Sequence, residues 1–307
     1  MLITLFFVLL FVGLMIILLY AIPIPRKDIL DLYKGDKFDL EALLTLRTVP
    51  QKTITINKIN WEYLSIGQGD KHLLFLHGLG GDYSIWWQQI NFFSKNYHII
   101  STTLPEVYSL DEAIEGIRVI LDKERIEKIS VIGSSMGGYM FQYFLKKYPE
   151  RLDKVVFGNT FSASDLMKKQ YMGIRRLIPL LPAWLLMKRF RVSLLKSVLP
   201  TSENSPLLHA YLAEQYWGKM RKNQIISRLD VVLDDFKLTY SAFQKSIPKL
   251  IIESDNDPLM YPILRQKLRE LYPEAKVHTF INKGHFPYVN DSKNYNDVLH
   301  SFLIDES

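Results

Sequence analysis

Cysteine is absent from the 307-residue chain, so disulfide staples, thiolate nucleophiles and cysteine-based zinc sites are excluded at the outset. Thiol usage therefore favours neither side of a membrane. Charge is absent from residues 1–25. Internal repeats and low-complexity tracts are also missing, which argues against solenoids and disordered arrays. The glycine-rich stretch His77-Gly78-Leu79-Gly80-Gly81 fits neither G-x-G-x-x-G nor a Walker A loop, so nucleotide binding is disfavoured.

With 48% hydrophobic and 23% charged residues, the composition is that of a globular protein with a sizeable core. The net charge of +6 raises the question of an anionic partner, and its distribution answers it. Between residues 165 and 200 stand Lys168, Lys169, Arg175, Arg176, Lys188, Arg189, Arg191 and Lys196 against the single acid Asp165. The remainder is close to neutral. No nucleic-acid partner is expected. Tyr171, Ile174, Leu177, Leu180, Trp184 and Phe190 interleave with those cations, the composition of a helical surface that dips into a headgroup boundary and meets anionic lipid. A cap whose apolar face covers the site and whose charges are merely solvated fits the same residues.

Residues 2–19 are almost wholly Leu, Ile, Phe, Val and Met. A helix of about 20 such residues reaches roughly 30 Å, the hydrocarbon thickness of a bilayer. A cleaved signal peptide would carry a basic n-region and a small-x-small cleavage site, and neither is present, so an uncleaved anchor is expected. Arg26, Lys27, Lys34 and Lys37 follow the run, which by the positive-inside rule places the C-terminal domain in the cytoplasm. The expected organisation is a transmembrane anchor at 1–25, a polar juxtamembrane segment at 26–50, and one domain at 51–307.

Residues 53–57 and 61–66 are β-branched or aromatic runs joined by a short polar link, an antiparallel start. Six further apolar runs, 73–76, 98–101, 129–132, 155–157, 250–252 and 277–281, alternate with amphipathic segments. That alternation predicts a mainly parallel sheet with helices on both faces. From about 162 to 246 it stops, and a Leu-rich helical stretch predicts a cap inserted between consecutive strands.

Four segments carry the candidate chemistry. Gly133-Ser134-Ser135-Met136-Gly137 lies between an apolar run and a helical segment, the strand-turn-helix context that G-x-S-x-G requires to present Ser135 as a nucleophile. The loop at 77–81 follows an earlier strand, and its glycines let the Leu79 N–H join the Met136 N–H in binding an oxyanion. A loop with two acids, Asp255 and Asp257, follows the run at 250–252. Asp257, immediately before Pro258, is the preferred orienting acid, with Asp255 and the more distant Asp165 as alternatives. Gly284-His285 follows the last run and supplies the general base, while His72, His98, His209, His278 and His300 read as structural. Ser135, Asp257 and His285 occur in the chain order of the α/β hydrolases.

Across roughly residues 51–305 these motifs resemble the α/β-hydrolase superfamily. Pro105-Glu-Val-Tyr-Ser-Leu-Asp, Gly158-Asn-Thr-Phe-Ser-Ala-Ser-Asp165, Ile226-Ser-Arg-Leu, Leu271-Tyr-Pro-Glu-Ala and Gly284-His-Phe-Pro-Tyr288 are similar to the maspardin-like group within it. The resemblance implies the α/β-hydrolase fold. It also implies two activities, because animal maspardin-like proteins are regarded as binding or adaptor proteins with an incomplete catalytic set. His285 is retained here, which favours catalysis. Ser254 stands where a glycine commonly precedes the acid, and the loop after Thr103 lacks the usual glycine-rich turn.

The expectation is thus a membrane-anchored serine hydrolase cleaving an ester or related acyl bond, of an amphipathic or lipid-derived substrate, with no metal or organic cofactor. The rivals are a non-catalytic adaptor that binds a protein partner and a cofactor-free enzyme of another class, such as a haloperoxidase or lyase. A dehalogenase would need an acid where Ser135 stands.

Overall fold

A computed structural model describes residues 1–163, 165–237 and 241–305. Among these, eight strands build one sheet: β1 (Lys52–Ile56), β2 (Ile59–Ile66), β3 (His72–Leu76), β4 (His98–Thr102), β5 (Ile129–Ser134), β6 (Leu152–Gly158), β7 (Lys249–Ser254) and β8 (Lys276–Phe280). Their spatial order is β1-β2-β4-β3-β5-β6-β7-β8. β1 and β2 form a hairpin in which Ile56 faces Ile59 across Asn57 and Lys58, both at positive φ, the backbone that a two-residue turn matched to strand twist requires. β2 also runs antiparallel to β4, and every later neighbour is parallel.

The parallel strands β3 to β7 are buried on both faces, so they read as continuous apolar runs with a period-two division of labour, whereas the edge strand β8 is largely exposed. Leu73 and Phe75 enter one core and Leu74 and Leu76 the other. The helices, in chain order, are α1 (Leu2–Ala21), α2 (Ile29–Leu32), α3 (Phe38–Thr48), α4 (Trp87–Phe93), α5 (Leu110–Lys123), α6 (Met136–Lys147), α7 (Asp165–Leu177), α8 (Ala183–Ser193), α9 (Pro206–Glu214), α10 (Lys222–Leu233), α11 (Ala242–Ser246), α12 (Pro262–Leu271), α13 (Pro287–Asn290) and α14 (Ser292–Ile304). α5, α6 and α12 bury their apolar stripes against one face of the sheet, α4 and α14 against the other. α5 shows the logic: Leu110, Ala113, Ile114, Ile117, Ile120 and Leu121 recur at helical spacing and are buried, and Ser109 caps the first turn by accepting from the Glu112 N–H. α7 to α11 fill the stretch between β6 and β7.

α1 is long and apolar enough to cross a bilayer, and none of its residues is buried against the domain. The segment after it is not a free linker. Ile29, Leu40 and Leu43 are fully buried, the Ile29 N–H donates to Glu214 Oε1 (3.1 Å), and Arg47 grips both carboxylate oxygens of Glu214 (2.9 and 2.6 Å). Such a bidentate, largely buried pair fixes direction as well as distance. α2 and α3 are therefore strapped to the cap helix α9.

Gly116, in the middle of α5, lies under Trp61 of β2, and a Cβ placed there would meet the indole Cζ2 at 2.0 Å. Alanine is the better helix former by about 1 kcal/mol, whereas overpacking a closed core costs about 1–3 kcal/mol. The steric cost is expected to win. Gly116→Ala should lower the denaturation midpoint of the detergent-solubilised protein, and a raised midpoint would show that Trp61 yields freely.

Candidate active site

Five loops leave the C-terminal ends of β3, β5, β6, β7 and β8, the edge where open α/β sheets bind ligands. Ser135 follows β5 directly and precedes the first residue of α6. Its φ is +54° and its ψ −118°, a conformation costing of order 1–3 kcal/mol for a residue with a side chain. Neighbours hold it there. The Ser135 N–H donates to Gly158 O (2.9 Å) and the Thr160 hydroxyl donates to Ser135 O (2.6 Å). The flanking glycines are sterically required, because a Cβ on Gly133 would lie 2.5 Å from Gly137 and one on Gly137 would lie 2.5 Å from Leu76 O.

Asp257 and His285 are both buried, and His285 Nδ1 is 2.8 Å from Asp257 Oδ2. Among the described residues, every other bond to the Asp257 carboxylate also comes from a donor: Asn159 Nδ2 (2.9 Å) to Oδ2, and the N–H groups of Leu259 (2.8 Å) and Met260 (3.0 Å) to Oδ1. A carboxylate so surrounded is an acceptor throughout, so the shared proton sits on Nδ1 and leaves Nε2 free to act as a base. Burial alone would raise the Asp257 carboxyl, but its electrostatic interaction with His285 and the donated hydrogen bonds outweigh it and hold the group below its ordinary value.

Asp255 is elsewhere. It is exposed, and its Oδ1 accepts the Asn282 N–H (2.8 Å), tying the β7 loop to the end of β8. The side chain of Asp165 lies outside the described residues. Ser254, at the position where glycine is common, is buried and within 3.4 Å of Asn159 Nδ2.

The loop carrying Leu79 packs directly on the serine turn, for a Cβ on Gly78 would lie 3.1 Å from the Ser135 Cβ. His77 shapes it from below. Its Nε2 accepts the Leu104 N–H (3.0 Å), which fixes the tautomer, and its Nδ1–H donates to Gly78 O (2.6 Å). The stretch after Thr103 thus serves the loop without a glycine-rich turn of its own. Arg228 of α10 shapes it from above, donating from Nη1 to Leu79 O (2.6 Å) and Gly81 O (2.8 Å). With those carbonyls drawn toward Arg228, the loop's peptide orientation is set by the cap. Met136 opens α6, so its N–H belongs to the positive end of a 12-residue helix.

Sequence reasoning missed Asn159, Arg228 and Asn256. Asn159 Nδ2 reaches both Asp257 and Gly284 O (3.3 Å), and Asn256 Oδ1 accepts the Gly284 N–H (2.9 Å), so the histidine loop is held from two sides. Gly284 itself has φ +62°, and a Cβ there would lie 2.4 Å from Ser202 Oγ of the cap. The only sequence signal for Asn159 is its place directly after a buried strand.

Burial lowers the His77 pKa to about 3, and the Arg228 charge acts in the same direction. In the unfolded chain an imidazole titrates near about 6.5, so between those values the unfolded state binds the extra proton and folding stability rises with pH. His77 should therefore withdraw about 2 kcal/mol between about pH 6.5 and 5. Chemical denaturation of wild type and His77→Asn across this range checks it: the variant should lose that part of the slope, and an unchanged slope would overturn the assignment.

Residues 71–292 match the family model described as alpha/beta hydrolase fold. Maspardin of Danio rerio is 23% identical over 258 residues, covering 81% of each chain. The 3-oxoadipate enol-lactonase 2 of Acinetobacter baylyi is 31% identical over 118 residues, 35% of this chain and 44% of the lactonase, so the match spans less than half of that relative. Among solved structures, a hydrolase from Pseudomonas aeruginosa PA01 superposes with a TM-score of 0.71 at 16% identity, over 84% of this chain and 100% of its own. A family match across most of the chain, on a sheet with this strand order and this serine turn, means that the protein belongs to the α/β-hydrolase superfamily, with maspardin among its relatives.

Proposed function

We propose that the protein is a serine hydrolase, anchored by α1 with its domain in the cytoplasm, that cleaves an ester or related acyl bond of an amphipathic or lipid-derived substrate. The observation that carries it is the buried Asp257–His285 pair, with Nε2 left free, on the same sheet edge as a serine held at positive φ. Ser135 Oγ attacks the acyl carbon and its proton passes to His285 Nε2, while Asp257 stabilises the imidazolium. The N–H groups of Leu79 and Met136 receive the developing oxyanion. Collapse expels the alcohol, which takes the proton from His285, and a water activated by the same nitrogen releases the acid and restores Ser135. Side chains and backbone suffice for every step, so no metal or organic cofactor enters.

The resemblance to maspardin favours a second reading, a non-catalytic adaptor that uses the fold for a protein partner. Labelling of the full chain with a fluorophosphonate separates the two. Wild type should react and Ser135→Ala should not, with turnover of a short-chain ester falling by on the order of 10⁴-fold or more. If wild type neither labels nor turns over esters, the adaptor reading stands.

The acid is tested by a pair of variants. Asp257→Asn deprives His285 of its orienting charge and should reduce turnover by on the order of 10⁴-fold. Asp255→Asn, removing an exposed acceptor, should have a mild effect, and the reverse ranking would sink the assignment.

A further inference from the structure

The last turn of α1 does not leave the domain freely. The Tyr20 hydroxyl donates to Leu180 O, and Trp184 Nε1–H donates to Leu19 O (2.9 Å). Beyond it, the Lys27 N–H donates to Trp217 O (3.3 Å), Lys27 Nζ lies 4.5 Å over the Trp217 ring, and the Ile29 N–H reaches Glu214. The end of α1 is thus fastened to the hairpin formed by α7, the turn at 178–182 and α8. A 20-residue helix spans roughly 30 Å, so if α1 crosses a bilayer, Tyr20 and Trp184 lie at its boundary, the level at which such rings concentrate.

What the hairpin exposes at that level is apolar. Ile174, Leu177 and Leu180 are 52, 60 and 67% exposed, large side chains with no covering element among the described residues. Its cations fall into two sets. Lys168 and Arg175 are neutralised by Asp235 (3.0 Å) and by Asp230 of α10 (2.7 Å), and Arg191 stacks on Trp217 (3.6 Å). Lys169, Arg176, Lys188 and Arg189 make no ion pair among the described residues and are exposed; Lys188 lies one turn beyond Trp184 on the same side of α8. The paired cations face the protein, and the unpaired ones flank the apolar stripe.

We propose that this hairpin is a second membrane contact: Ile174, Leu177 and Leu180 enter the headgroup boundary of the bilayer that α1 crosses, and Lys169, Arg176 and Lys188 meet anionic lipid. This rests on the anchor reading above and is independent of whether Ser135 is catalytic. The fastening of α1 holds the hairpin at the bilayer surface, so even a small apolar patch is occupied through effective concentration.

The absence of native cysteine permits single-site labels. An environment-sensitive fluorophore is placed on full-length Leu177→Cys, on Leu10→Cys within α1, and on Lys128→Cys at the opposite edge of the sheet, each reconstituted into vesicles of phosphatidylcholine with or without phosphatidylserine. The label at 177 should be dehydrated and quenched by lipids carrying a shallow nitroxide, and the label at 128 should be neither. Reversing Lys169, Arg176 and Lys188 to Glu should weaken contact at 177 in phosphatidylserine vesicles by about fivefold per charge, with little change at Leu10. A hydrated label at 177 beside a lipid-buried label at 10 would overturn the contact while leaving the anchor intact. If the label at 10 is hydrated as well, the anchor reading fails and takes the contact with it. Dehydration at 177 without quenching by lipid would mean that protein covers the patch, and the proposal would fall.

Discussion

The end of β6 is the constraint on which the rest of the site depends. Within three residues, Gly158 O accepts the Ser135 N–H, Asn159 Nδ2 donates to Asp257 and to the Gly284 carbonyl, and the Thr160 hydroxyl donates to Ser135 O. Segments from β5, β7 and β8 are thereby registered to one another through a single strand terminus. Asn159 achieves this at φ +39°, a backbone that asparagine tolerates better than most side chains. Its amide is buried and bonded to a charged acceptor, so its loss would leave the Asp257 carboxylate short of a donor in a dry environment, where such a deficit costs about 1–3 kcal/mol or more.

The Leu79 loop depends on the cap in a comparable way. Arg228 is buried in α10, and burial pulls its pKa down to about 10 against the opposing field of Asp82, so it remains a cation near neutral pH. Asp82 is itself buried under donors from Ser84, Tyr211, Gln215 and Lys219. Burial alone would raise its carboxyl, but Lys219 and those bonds hold it well below the usual carboxylate range. Lys219 also reaches Glu214, which Arg47 grips from the juxtamembrane segment. A continuous polar network therefore runs from the strap after α1, through the cap, to the loop beside Ser135, and each member is costly to bury without its neighbour.

Much of this was legible in the sequence where the signal is local. The eight strands stand where apolar runs and β-branched residues predicted them, and Gly133 and Gly137 frame a serine whose turn admits no larger residue. Pattern preferred Asp257, before Pro258, but kept Asp255 as an alternative, because both sit in one polar loop; the direction of the Asp257 side chain is decided by Asn159 and by the Leu259 and Met260 N–H groups, and that of Asp255 by the Asn282 N–H. Arg228 looks in the sequence like one more surface cation of an amphipathic helix, and only the fold brings two backbone carbonyls to it. Residues 26–50 read as a polar linker because charges interrupt them. The buried stripe Leu40, Leu43 and Leu46 is too short to stand out, and its partner α9 lies far along the chain.

These separate features converge on one side of the domain. The C-terminal ends of the parallel strands carry Ser135, Asn159, Asp257 and His285; the cap covers that edge through Arg228 on the Leu79 loop and Ser202 beside Gly284; and the end of α1 is fastened to the same cap. Had α1 been joined to the opposite edge, near Lys128, a membrane anchor would hold the site away from the lipid. Joined as it is, an anchor would hold the cap between bilayer and site, and a substrate that partitions into lipid would have the cap as its shortest path to the serine. The same polar network that aligns the Leu79 loop then runs through the cap to which the end of α1 is fastened, which makes the attitude of the cap and the alignment of the loop a single structural problem rather than two.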